Sequence, residues 1–151
     1  MLTNRRHVML GNGAHARSLV VLDLVRPSAT IDKGDEDKLG LFTGYDAVIA
    51  IGNNPTRHAV YLRAVAAGLH PISQVHPAAI VHPTARIGVN VIVGAGAIIE
   101  HDAVLNDHSQ VAPGGIILGG AVLEEGAFVP AGVVVRPWRT VEAWKVATCE
   151  P

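Results

Sequence analysis

His101 is followed directly by Asp102. A histidine can serve as a general base near neutral pH, and a neighbouring carboxylate can fix its tautomer and raise its basicity. Taken alone, the pair reads more readily as a solvated surface pair, since most surface histidines do nothing. A second set lies near the start of the chain. Gly11-Asn12-Gly13-Ala14-His15-Ala16 has the form GxGxxA, after the apolar run HVML (7–10) and before a helical stretch. Glycines there let a backbone approach a pyrophosphate at a helix N-terminus. Asp32 follows about 20 residues on, where an acidic residue often meets a ribose or base. A tight turn without a ligand is the plain alternative. The unit is too small for two mononucleotide halves, so one nucleotide diphosphate fits better than a dinucleotide. A third set, Gly52-Asn53-Asn54, closes another apolar run, DAVIAI (46–51). Arg57, in the first turn of the helix expected next, either reaches a phosphate or lies on a solvated helix face.

Four histidines, His76, His82, His101 and His108, raise the question of zinc. No two are eighteen residues apart, the spacing that would stack them in the repeat described next. No metal is therefore expected within one chain, and a site shared between subunits stays open.

The element that must position His101 is a repeat. Val75, Val81, Ile87, Val93, Ile99, Leu105, Val111, Ile117, Leu123, Val129, Val135 and Val141 are aliphatics spaced by six. Two places before most of them stands a small residue, as at Ala79, Ala85, Ala97, Ala103, Ser109, Gly115, Ala121 and Ala127. A fixed short period marks a solenoid. Each hexad supplies a short strand with its aliphatic inward, and the small residue belongs at the turn. Three hexads close a triangular coil, so residues eighteen apart stack at about 4.8 Å, and four coils rise roughly 20 Å. Gly119, eighteen residues after His101, then lies one coil beyond it. A glycine amide beside a base is a plausible oxyanion donor.

Residues 1–73 lack the beat and read as a small parallel α/β unit. Strands are expected at 7–10, 29–31, 46–51 and 70–73, with helices at 14–24 and from Pro55 to about Ala67, capped by Gly68. KGDEDK (33–38) reads as a loop. The repeat occupies 74–141. The segment 142–151, the end of a tail with two tryptophans and two prolines, reads as a cap, which solenoid ends require.

Composition narrows the function classes. A net charge of −1 and two each of Trp, Tyr and Phe offer neither a polyanion footprint nor a stacking platform for nucleic acid. No apolar run approaches the roughly 18 residues that span a bilayer. The lone cysteine, Cys149, cannot pair within the chain, which fits a reducing compartment. The chain reads as cytoplasmic.

The motifs GNGAHA (11–16), DAVIAIGNNPTR (46–57), HPAAIVHPTARIG (76–88) and EHD followed by APG (100–102, 112–114) occur in one order along nearly the whole chain. In this the chain resembles bacterial nucleotide-sugar acetyltransferases of the sialic-acid O-acetyltransferase and bacillosamine N-acetyltransferase type. The resemblance implies a Rossmann-like unit followed by a left-handed parallel β-helix, a homotrimer, acetyl-CoA as donor, and a nucleotide-linked sugar as acceptor. It places Gly11, Gly13 and His15 at the pyrophosphate, Asp32 at the base, and Asn54 and Arg57 at the border of the same pocket. It makes His101 the base, Asp102 its orienting acid, and Gly119 the thioester-facing amide. Gln110 stands where the family carries a second histidine facing the thioester, and Gly94 where it carries an asparagine. The repeat is about two coils shorter than the family's. These departures support a rival from another class, a non-catalytic trimer that keeps the sugar-nucleotide pocket.

Overall fold

A computed structural model describes residues 6–14, 16 and 29–148, which divide into two compact units between Ile72 and Ser73. In the first, β1 (His7–Leu10), β2 (Ala29–Ile31), β3 (Asp46–Ile49) and β4 (His70–Pro71) form one parallel sheet in the order β2-β1-β3-β4. Alternate residues of β1 and β3 enter two cores. Val8, Leu10, Ala47 and Ile49 pack with Leu39, Ala64 and Leu69, whereas Met9 and Val48 pack with Ala16 and Ala50. Burial on both faces explains why these strands read as unbroken apolar runs. The expected helix at 14–24 lies mostly outside the described residues. The polar run 33–38 is not all loop, since a 3-10 helix begins at Glu36 and continues to Phe42.

Helix α1 runs from Asn54 to Ala66. Asn53 caps it, its side chain accepting from the Thr56 amide at 2.9 Å, and proline stands in the first turn. Such a cap satisfies one of the donors that a helix start leaves open. Gly68, at φ +80, ends the helix.

The second unit is a parallel solenoid of three four-stranded sheets. Gln74–Val75, Ile92–Val93, Gln110–Val111 and Phe128–Val129 make the first sheet. Ile80–Val81, Ile98–Ile99, Ile116–Ile117 and Val134–Val135 make the second. Arg86–Ile87, Val104–Leu105, Val122–Leu123 and Thr140–Val141 make the third. Every pairing joins residues eighteen apart, as the hexad period requires. Ile99, Leu105, Val111, Ile117, Leu123 and Val129 fill the interior. Val75, on the first coil, is instead 40 % exposed.

Two local expectations change. The small residues do not occupy the turns. Ala97, Ala103, Ala121 and Ala127 lie just past them, face inward and are fully buried, where a larger side chain would meet the core aliphatics. The second residue of each turn from Asn90 onward takes the left-handed conformation, with Gly at five corners and Asn90, Asp102, His108, Trp138 and Trp144 at the rest. Where it is described, the tail is built as a further coil, with a strand at Thr140–Val141 and a parallel bridge from Phe128 to Val146, and Val141 and Ala147 extend the buried ladder.

Candidate functional site

The strand ends of the first unit open into a cavity of about 730 Å³. Gly11 continues β1, its amide donating to the Ile31 carbonyl at 2.8 Å. Its φ of +103, with an added Cβ only 3.1 Å from the Ala50 carbonyl oxygen, demands glycine. Gly13 differs: its φ is ordinary and an added Cβ would meet nothing within 4 Å. Its missing side chain leaves room in the cavity, of which it forms part of the wall. Asp32 lines the same cavity, and its Oδ1 accepts the Lys33 amide at 2.8 Å. Asn12, Gly52, Thr56, Lys33 and Arg63 complete the polar lining. The cavity thus offers two cations, one carboxylate and an apolar wall of Leu10, Ile31, Leu39, Ile51 and Val60. His15 lies outside the described residues.

Asn54 and Arg57 do not line this cavity, contrary to expectation. Arg57 is fully buried, and its Nη1 donates to Asn54 Oδ1 at 2.7 Å and to the Ile51 carbonyl at 3.2 Å. The side chain is not on a solvated face; it ties the start of α1 to the end of the preceding strand. Burial disfavours the charged guanidinium and pulls its pKa down to about 10. The arginine that reaches the cavity is Arg63, about 1.7 turns along the helix, which the Gly-Asn-Asn-x-x-Arg pattern passed over.

In the second unit, His101 and Asp102 form the turn between the second and third sheets. His101 Nδ1 lies 3.1 Å from Asp102 Oδ2, and both side chains are more than half exposed. A carboxylate only accepts, so Nδ1 carries the proton and Nε2 keeps its lone pair. The contact with His101, followed by one with Thr84, holds the Asp102 carboxyl below its ordinary range. Gly119 lies against the ring: an added Cβ would sit 2.5 Å from both Cε1 and Nε2. The stacking inferred from the period therefore holds, but the oxyanion role does not follow. The Gly119 amide already donates to Glu100 Oε2 at 3.1 Å. Glycine here gives space to the imidazole, and its amide is engaged by a carboxylate.

Gln110 is buried in the first sheet, the face opposite the corner that carries His101. One chain does not bring the two together. At Gly94 an added Cβ would lie 2.6 Å from the Pro113 nitrogen, so a larger residue would require the backbone to shift. The histidines also behave differently from expectation. His82 meets His101 edge to face, centroids 6.0 Å apart, across nineteen residues instead of eighteen. His108 sits at another corner, its Nδ1 3.0 Å from Asn90 Nδ2.

No family model matches the chain, and no curated protein matches it. Solved structures do. One is a variant of perosamine N-acetyltransferase from Caulobacter crescentus in complex with CoA and GDP-perosamine: 24% identity, TM-score 0.79, 97% of this chain and 87% of that one. Another is the acetyltransferase domain of PglB from Neisseria gonorrhoeae: 22% identity, TM-score 0.73, 97% of this chain and 93% of that one. WeeI from Acinetobacter baumannii is similar at 14% identity and a TM-score of 0.60, over 89% of this chain and 93% of that one. At such identities the likeness is one of fold.

Proposed function

We propose that the protein transfers an acetyl group from acetyl-CoA to an amine or hydroxyl of a nucleotide-activated sugar. The observation that carries this reading is the His101–Asp102 pair. It presents a lone pair at Nε2 on the solenoid edge, in a fold shared with proteins crystallised with CoA and GDP-perosamine. The acceptor nitrogen or oxygen attacks the thioester carbonyl and gives its proton to His101 Nε2. The tetrahedral adduct then collapses, the carbon–sulfur bond breaks, and His101 returns the proton to the departing thiolate. Asp102 holds the imidazole throughout. For the Gly119 amide to meet the oxyanion, the Glu100 carboxylate must first leave it.

The first unit, read as Rossmann-like, binds the nucleotide sugar. Gly11 and Gly13 border the pyrophosphate, Lys33 and Arg63 supply the cations, and Asp32 meets the base or ribose. We read the solenoid as left-handed, after the family it resembles, and the assembly as a trimer. On the second sheet the outward positions are Ile80, Ile98, Ile116 and Val134, an apolar ladder in which Ile80 is 64 % exposed. A partner copy would cover such a ladder. We place the protein in the cytoplasm, where a lone cysteine stays reduced. Among the described residues no helix is long and apolar enough to cross a membrane.

The test is release of free thiol from acetyl-CoA in the presence of a panel of nucleotide amino sugars. The engaged Gly119 amide favours one alternative, a non-catalytic sugar-nucleotide-binding trimer. Calorimetric binding of a nucleotide sugar with no thiol release from any acceptor would establish that alternative.

A further inference from the structure

Asp102 is held in its turn differently from its counterparts around the solenoid. At seven other corners the left-handed residue donates its amide to a backbone carbonyl nineteen positions back: His108 to Val89, Gly114 to Ala95, Gly120 to His101, Gly126 to Asp107, Gly132 to Pro113, Trp138 to Gly119 and Trp144 to Glu125. The Asp102 amide instead donates to the side-chain hydroxyl of Thr84 at 3.0 Å, eighteen positions back. A left-handed conformation costs energy in a residue other than glycine and persists only where its surroundings hold it. Here the hold comes from a side chain at the one corner that carries the base.

Thr84 is itself anchored. His82 Nδ1 lies 3.2 Å from the Thr84 amide nitrogen and 3.0 Å from its Oγ1. An amide only donates, so Nδ1 of His82 accepts and its ring proton sits on Nε2. His101 must have the opposite tautomer, with Nδ1 protonated toward Asp102. The Thr84 hydroxyl accepts from the Asp102 amide, and its own proton has two acceptors, His82 Nδ1 and the Asp102 carboxylate. The His82 ring edge closes the arrangement against the His101 ring at an interplanar angle of 77°.

We propose that His82 and Thr84 are positioning residues for His101: from the coil below they fix the turn of Asp102 and thereby hold the base in the tautomer with a free Nε2. The kinetic consequence rests on the acetyl-transfer reading; the tautomer does not.

Long-range proton–nitrogen NMR of the imidazoles, at a pH where they are neutral, tests the arrangement in the whole protein. It should show His101 protonated at Nδ1 and His82 at Nε2. Thr84→Val should leave the melting temperature within a few degrees and convert His101 to a tautomer mixture. It should also lower kcat about tenfold to a hundredfold, as small misplacements of a catalytic group do. KM for acetyl-CoA should stay within about twofold, since uniform binding is untouched. Thr84→Ser, which keeps the hydroxyl, should restore both the nitrogen shifts and kcat. Unchanged His101 shifts in Thr84→Val, or a tautomer mixture already present in the wild type, would overturn the proposal. If the wild type transfers no acetyl group, the functional reading fails, while the nitrogen shifts still decide this one.

Discussion

At the scale of single residues, Arg57 and Arg63 lie about 1.7 turns apart on one helix and so face different ways. One is a buried strut for Asn54 and Ile51, and the other lines the cavity. Arg57→Ala should cost about 2–3 kcal/mol in chemical denaturation, because it strips a charged donor from two acceptors. Arg63→Ala should leave stability nearly unchanged and weaken nucleotide-sugar affinity in calorimetry; equal effects of the two on stability would refute this division. Gly119→Ala probes the other site. Its Cβ would displace the His101 ring, so acetyl transfer should fall by about the 10²–10⁴-fold that a general base contributes, with little change in melting. Retained activity would mean that the ring works from another position. The GxG turn and the His-Asp pair were legible in the sequence because such motifs are local. Arg57 was misread because a helix places Arg57 and Arg63 by rotation about its axis, and the neighbours that bury one of them are remote in sequence. The role of His82 was hidden for a related reason. Long side chains reach diagonally between coils, so a strict spacing of eighteen overlooks pairs at nineteen.

At the scale of elements, the hexad period is legible because it follows from geometry. A coil of three short strands must return the same position to the same face. Ile117→Ala, in the middle of the interior ladder and fully buried, should cost about 3–4 kcal/mol. Val75→Ala, on the exposed first coil, should cost under about 1 kcal/mol. Similar costs, measured by urea unfolding, would contradict an interior that closes only after the first coil. The tail was harder to read. The small residues disappear after Ala127 and tryptophans take their place in the eye, which suggested a cap. The turns show the coil running on, for Trp138 and Trp144 occupy the left-handed corner position at φ 59 and 60, and each indole ring lies over a glycine of the coil below, Gly120 and Gly126. Those glycines, eighteen residues before each tryptophan, were the signal that the coil continued.

At the scale of the whole molecule, the apolar ladder Ile80, Ile98, Ile116 and Val134 predicts self-association. Light scattering at micromolar concentration should give the mass of a trimer. Ile98→Glu should give a monomer with an unchanged far-ultraviolet spectrum, and a wild-type monomer would contradict the trimer. Acetyl transfer with His101 as base is tested by thiol release from acetyl-CoA, with nucleotide amino sugars as acceptors, by the wild type and by His101→Ala. The wild type should show acceptor-dependent release and the variant a loss of about 10²–10⁴-fold, while still binding the nucleotide sugar. Equal release by the two proteins, or none by the wild type with any acceptor, would contradict it.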